Sequence, residues 1–270
     1  MTHSLARLPV SSVLAACILV WTSASAFSAN WNAVVLAEIR KMPHGGGYAV
    51  TSEAGRRFRE SVSTKGSRLV VDANTAKPSY CSSATYLLLL EVLNEAARTG
   101  ALKLDASATD ALIPRPLADG HGVWGRWNAN GPGAAMLFHE LGAGENFTSL
   151  AAAKPGDFLK IFWNDAVGKQ ERGHLVVYLG FDEREDGQWI RFWSSNKPDG
   201  YGEKAVHSSK IAQMLFSRLT NPSAFSKAAQ LPKVEPYLSR LLEVESSFRE
   251  ACAKVDATDL PEASSPSTTP

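Results

Sequence analysis

Apolar residues run almost without a break from Ala84 to Leu93, with Glu91 the one charge among them. A helix that is apolar all round belongs in the interior, so this pattern predicts a central buried helix over Ser82–Arg98. Ser79 is its expected cap, which places Cys81 in the first turn. Trp31–Met42 carries Val34, Val35, Ala37 and Ile39 at mixed helical spacing and is stopped by Pro43; His44-Gly45-Gly46-Gly47 then reads as a loop. Ser52 can cap a second helix through about Ser63. Ala134–Leu141 reads as a short helix.

The period then changes. Asp157–Trp163 follows a Pro155-Gly156 turn and reads as a strand, as do His174–Phe181 and Trp189–Ser195, joined by the polar turn Asp182–Gly187. With that turn closing a hairpin, Phe181 faces Gln188 and His174 falls opposite Ser195. A slip of one residue puts Ser194 or Asn196 there instead. Further helices are expected at Ser208–Leu219, Ser223–Ala229 and Val234–Ala253. Pro114–Gly133, rich in Pro, Gly, Trp and Asn, reads as an ordered loop, because Trp124 and Trp127 need a surface to pack on. No internal repeat is visible.

The layout is α+β: a buried helix, an antiparallel sheet, and helices flanking both ends. The expected division is a signal peptide at 1–26, an N-terminal helical extension at 27–66, a main domain at 67–220, C-terminal helices at 221–256 and a disordered tail at 257–270, Ser/Thr/Pro-rich from Pro261.

The signal is read from Arg7, the mostly apolar Leu8–Trp21 and the small residues Ala24-Ser25-Ala26. Leu14-Ala15-Ala16-Cys17 also fits lipoprotein cleavage, with a lipid anchor at Cys17, but Ile18–Trp21 continues the apolar run where a lipoprotein usually turns polar. A secreted or periplasmic location is expected, with no integral membrane segment after signal removal, since no other stretch reaches about 18 apolar residues. The 270 residues are 44% hydrophobic and 20% charged, an ordinary globular composition. Losing the signal removes Arg7 and no acid, so 28 basic against 27 acidic residues become 27 against 27. That balance gives no electrostatic case for nucleic acid or a membrane surface. Oligomeric state is left open.

Outside the signal two cysteines remain, Cys81 and Cys252, too few for a disulfide framework. Cys252 is read as a buried small hydrophobe. Cys81 opens a buried helix, where the helix N-terminus favours a thiolate and first-turn N–H groups can hold an oxyanion. The bland alternative is a cysteine filling space. His174 at a strand edge can act as its base. Asn196, delivered by the hairpin and carrying a carboxamide oxygen, can orient the imidazole; the alternative is that Ser195–Pro198 are ordinary turn residues. Asn74 is a further candidate for the oxyanion. Among glycines, Trp124, Arg126, Trp127, Asn128 and Asn130 suit a sugar or peptide cleft, or else the tryptophans pack the loop onto the domain. Trp124, Trp127, Asn128 and Tyr80 are the substrate-binding candidates. No His/Asp/Glu cluster has ligand spacing, so no metal or cofactor is expected.

Three segments together resemble the NlpC/P60 group of papain-like cysteine peptidases, anchoring roughly residues 67–200. Cys81-Ser82-Ser83 opening an apolar helix is similar to the family's Cys-Ser-Gly. Lys154-Pro155-Gly156-Asp157-Phe158-Leu159 is similar to its Pro-Gly-Asp run. Gly173-His174-Leu175-Val176-Val177-Tyr178-Leu179-Gly180 is similar to its His-Val-Gly-Ile-Tyr-Leu-Gly strand. Tyr80 stands where the family usually has Asp, Asn196 where it often has His, and the Trp-rich stretch is an apparent insertion. A histidine after the cysteine argues against the lecithin-acyltransferase-like branch. The resemblance implies a papain-like fold and an exported hydrolase cleaving amide bonds in cell-wall (peptidoglycan) peptides through Cys81, His174 and Asn196. Its alternatives are a catalytically silent module that binds wall peptides or a protein partner, and a hydrolase turned on other cells or host proteins.

Overall fold

The computed structural model describes Met1 and residues 30–260. Residues 2–26 of the expected signal, including Cys17, and tail residues 261–270 lie outside the described residues. In chain order the elements are α1 (Trp31–Ile39), β1 (Gly45–Gly46), α2 (Ser52–Glu60), β2 (Val62–Lys65), β3 (Arg68–Val71), α3 (Cys81–Arg98), α4 (Ala106–Ala111), α5 (Gly122–Asn128) and α6 (Gly133–Leu141). There follow β4 (Gly144–Phe147), β5 (Phe158–Phe162), β6 (Val167–Gly168), β7 (Gly173–Arg184), β8 (Gly187–Asn196), β9 (Gly200–His207), β10 (Gln213–Leu219), α7 (Pro236–Arg240), β11 (Glu245–Ser246) and α8 (Phe248–Ala253).

Seven of these strands form one sheet, in the order β1-β9-β8-β7-β5-β10-β4, with every neighbouring pair antiparallel. The class is α+β with an antiparallel sheet. The sheet's alternation sorts its side chains into two cores. On β7, Leu175 and Val177 join α3 in the larger cluster, while Val176 and Tyr178 join Leu159, Ile161, Ile190, Phe192 and Phe216 on the other side. In α3, Leu87, Leu88, Leu89 and Leu90 are all fully buried, as the all-round apolar run requires. Truncating one such leucine to alanine costs about 2–5 kcal/mol. A third cluster joins α6, α7 and α8 to Phe162 and Leu215.

The Pro155-Gly156-Asp157 turn is a fastening point. Buried Asp157 accepts from Asn32 Nδ2 of α1 at 2.8 Å, and from Arg218 Nε and Nη2 of β10 at 2.8 and 2.7 Å. It also accepts from the backbone N–H of Lys154 at 2.7 Å. A buried carboxylate satisfied from three elements holds the N-terminal helix, the turn and the sheet in one arrangement; removing one partner of such a pair typically costs about 3–5 kcal/mol.

Several expectations are corrected. The expected helical extension at 27–66 does hold α1 and α2, but its described residues are continuous with the main domain: β1 pairs with β9 in the main sheet, and β2 pairs with β3 in a hairpin that crosses the expected boundary at 67. Ser208–Leu219 is not a helix but a short 3-10 turn followed by β10, which pairs with both β5 and β4. A segment buried within a sheet needs no polar face, so its apolar spacing does not separate helix from strand. The stretch Val234–Ala253 is broken: Pro236 starts α7, β11 pairs with β6, and Ser247 caps α8. Ser223–Ala229 lies within a 3-10 helix over Pro222–Gln230. The Pro114–Gly133 stretch contains α5, and the tail begins later than 257, because Thr258 bridges to Phe147 beside β4. No helix of the described residues is long and apolar enough to cross a membrane.

Candidate active site

Cys81 is the first residue of α3, and Tyr80, not Ser79, is the N-cap. Ser83 Oγ accepts from the Tyr80 N–H at 3.1 Å and donates to the Tyr80 carbonyl at 2.8 Å, which stabilises the first turn. Ser79 does something else: its hydroxyl donates to Ser195 Oγ at 2.8 Å, tying the entry of α3 to β8. Cys81 is thus set at a helix N-terminus and next to the end of the β7–β8 hairpin, partly accessible to solvent.

The hairpin brings in the other two candidates, in a register different from the expected one. Its turn is tighter, with Arg184 paired to Gly187 and Phe181 to Ile190. Leu179 is then an extra residue between the Tyr178–Phe192 and Gly180–Arg191 pairs. Gly180 takes φ of 114° there, a conformation L side chains rarely adopt. Past this bulge Val177 faces Trp193, and the same register carries His174 opposite Asn196 rather than Ser195. The His174 Nε2 lies 3.0 Å from Asn196 Oδ1. Asn196 Nδ2 donates to the Gly202 carbonyl at 2.8 Å, which fixes the amide with its oxygen toward the ring. With Nε2 engaged, Nδ1 is left for Cys81. Trp163 and Phe192 flank the imidazole, with ring centroids 6.1 and 5.7 Å from it. Ser194 donates to the Leu175 carbonyl and Ser195 accepts from Ser79, so both serines are occupied elsewhere.

Electrostatics couple the pair. Burial pushes the Cys81 thiol up. The charge and hydrogen bond of His174, the Leu175 N–H and the charge of Lys160 outweigh that and bring it down to about 7. Burial pulls His174 down, but the thiolate's charge, its hydrogen bond and the bond to Asn196 raise the imidazole above its ordinary value. Each group favours the charged form of the other, so a thiolate–imidazolium pair is accessible near neutral pH, and a thiolate is the nucleophilic form of cysteine.

Cys81 and His174 line one cavity of about 560 Å³ together with Tyr80, Trp124, Trp127 and Asn128. Trp124 lies 4.4 Å from the Phe58 ring and 5.2 Å from Tyr86, so it is both wall and packing. Trp127 is 1% exposed and belongs to the core: its Nε1 donates to the Ser82 carbonyl at 3.1 Å, and its ring meets Phe158 edge-on at 5.3 Å. Asn128 accepts from Ser82 Oγ at 2.6 Å. Arg126 is fully buried, paired with Glu140 and donating to the Gly120, Gly122 and Pro232 carbonyls. The Trp-rich stretch is therefore built into the fold as well as the cavity wall. Asn74 is a correction. It is exposed, accepts from Lys77 Nζ at 3.0 Å and lines a separate cavity with Glu38, Arg68 and Glu91; it is not brought to Cys81.

Tyr48, which the sequence did not suggest, lines the cavity with Cys81, where Asn74 does not reach. Burial together with the thiolate's charge pushes its phenol well above its usual value, so it keeps its proton and can donate. Backbone bonds hold it there: the Tyr48 N–H donates to the Pro198 carbonyl and the Ala49 N–H to that of Ser79, both at 3.0 Å. The approach is close enough that a Cβ on Gly200 would come within 2.5 Å of the Gly45 carbonyl oxygen. Lys160 and Glu171 were also missed. Lys160 Nζ lies 2.7 Å from Glu171 Oε1, whose side chain is fully buried. No local signal points to these residues, because each meets the site across a long stretch of chain.

Beyond His174 a second cavity of about 280 Å³ shares Tyr48, Gly173 and His174 with the first, and adds Asn196, Lys197 and Lys204. Among the described residues no three His, Cys, Asp or Glu side chains are grouped to hold a metal ion. No family model matches this chain, and neither a curated protein nor a solved structure matches it.

Proposed function

We propose that this protein is a cysteine hydrolase that cleaves amide bonds, with a papain-like fold of the NlpC/P60 type. The observation that carries this reading is His174 held between Cys81 and the Asn196 oxygen, 3.0 Å from it, beside a thiol drawn down to about 7. The helix bearing the cysteine packs against the antiparallel sheet bearing the histidine and asparagine, as that fold type requires.

In this mechanism the Cys81 thiolate attacks the carbonyl carbon and forms a C–S bond. The oxyanion is stabilised by the N–H groups at the start of α3 and the Tyr48 hydroxyl. His174 gives its proton to the leaving nitrogen as the C–N bond breaks, leaving a thioester. It then takes a proton from water, which attacks that thioester, releasing the acid and restoring the thiolate–imidazolium pair. Asn196 keeps the imidazole aimed throughout.

The expected signal and the resemblance support a location outside the cytoplasm, with peptides of the cell wall as the substrate of this reading. Cys81→Ala replaces the nucleophile by a small residue that the buried start of α3 accommodates. Product release from peptidoglycan fragments should vanish while the thermal melting profile persists. Release at the wild-type rate by the folded variant would remove Cys81 from the mechanism.

A further inference from the structure

Most charged side chains lining the large cavity have a partner. Lys160 is neutralised by Glu171 at 2.7 Å. Asp119 accepts from the Asn128 amide and the Asn130 N–H, both at 3.4 Å. Arg59 differs. It reaches the cavity wall from α2, half-buried, beside Thr51, Tyr80 and Trp124. Among the described residues its guanidinium makes no ion pair and no hydrogen bond, and the acids of its own helix are taken. Glu53 binds Arg56 and Arg57, and Glu60 binds Arg56, all at 2.6–2.8 Å. Gly55, one turn earlier, leaves room for the head group: a Cβ there would stand 3.3 Å from Arg59 Nη1.

A half-buried guanidinium gives up part of its hydration, and here no protein acid compensates it. Its planar fork of donors matches a carboxylate in two parallel hydrogen bonds, a geometry an ammonium group does not offer. The flanking Tyr80 and Trp124 rings would shield such a contact from water.

We propose that Arg59 is a specificity-determining residue that binds a carboxylate of the substrate, so that the cavity selects peptides bearing an acidic group over their amidated counterparts. This rests on the hydrolase reading only in assigning the bound peptide as substrate.

The test uses two tripeptides, N-acetylated and C-amidated, Ala-Glu-Ala and Ala-Gln-Ala, which differ by one charge. Each competes with iodoacetamide for Cys81 in the full chain, and the mass of the alkylated peptide is followed. Protection is compared with each variant's own rate without peptide. The glutamate peptide should protect at roughly tenfold lower concentration than the glutamine peptide. Arg59→Gln should abolish that difference, and Arg59→Lys should retain part of it. Equal protection by both peptides, protection by neither, or a preference that survives Arg59→Gln overturns the proposal. The assay reads binding rather than cleavage. An Arg59-dependent preference in a protein that releases nothing from wall fragments would therefore sustain the carboxylate site and sink the hydrolase reading.

Discussion

The two cysteines of the described chain are one side chain in two environments. Cys81 opens α3, partly accessible, beside an imidazole and within reach of an ammonium charge, and its thiol is drawn down to about 7. Cys252 sits in α8 among Phe162, Leu215, Leu238 and Phe248, fully buried. Burial, opposed only by the charge of Arg249, pushes its thiol up to about 12. Both feel desolvation; what differs is whether an opposite charge and hydrogen-bond donors have been brought alongside. Reactivity here belongs to the surroundings rather than to the residue type.

The sharpest way to break this comparison is alkylation at pH 7. About half of Cys81 should be thiolate there. At a thiol value of about 12, Cys252 should be thiolate in roughly one molecule in 10⁵. The lower intrinsic nucleophilicity of the more acidic thiol offsets about two to two and a half decades of that advantage. Cys81 should therefore label a few hundred-fold faster, on the order of 10²–10³, before accessibility widens the gap. Equal, slow labelling of both would favour a catalytically silent binding module.

His174→Ala removes the largest influence lowering the Cys81 thiol. The alkylation rate of the wild type should climb as pH rises through about 7, where the thiol ionises. In the variant the climb should move to higher pH, because burial then acts with less opposition, and turnover should fall by about 10²–10⁴-fold. A pH profile of alkylation left where it was would separate His174 from the thiolate.

Asn196→Ala tests the orienting bond. It should lower turnover by part of that range, with the thiol present and the fold intact. Ser194→Ala and Ser195→Ala, made alongside, should each cost about 1 kcal/mol of stability through a lost hydrogen bond, with a smaller effect on turnover. If a serine variant loses more turnover than Asn196→Ala, the third position has been assigned to the wrong residue.

The smallest effect is expected at Cys252. Cys252→Ala should leave the Cys81 alkylation profile unchanged and cost about 1 kcal/mol in a thermal or denaturant melt, from one small group lost in a packed cluster. A change in Cys81 reactivity would show that the two sites are coupled through the sheet.

The candidate site was legible in the sequence where its signal is local. The all-apolar run from Ala84 to Leu93 marks α3 whatever packs on it, and Cys81 follows as a residue of its first turn. The alternation around His174 marks a strand, and the hairpin confines the third position to Ser194, Ser195 or Asn196. The choice among the three was not legible, because it depends on a tighter turn and on Leu179 bulging out before Gly180, one residue of slip that moves every later pair. The strand over Gln213–Leu219 was misread because a segment paired on both edges and buried is not required to show a period.

The sequence by itself determined the α+β class, the buried helix and the order of cysteine, histidine and asparagine along the chain, since each follows from patterns within a few residues. Tertiary structure alone decided that Tyr48 stands by the thiol, that Lys160 and Glu171 lie in the same neighbourhood, and that Asn74 is excluded from it. It also decided that Trp127 serves the core as much as the cavity. The physical reason is that most of these contacts join residues tens of positions apart. Such contacts are set by sheet register and close backbone packing, which no local pattern of residue types encodes.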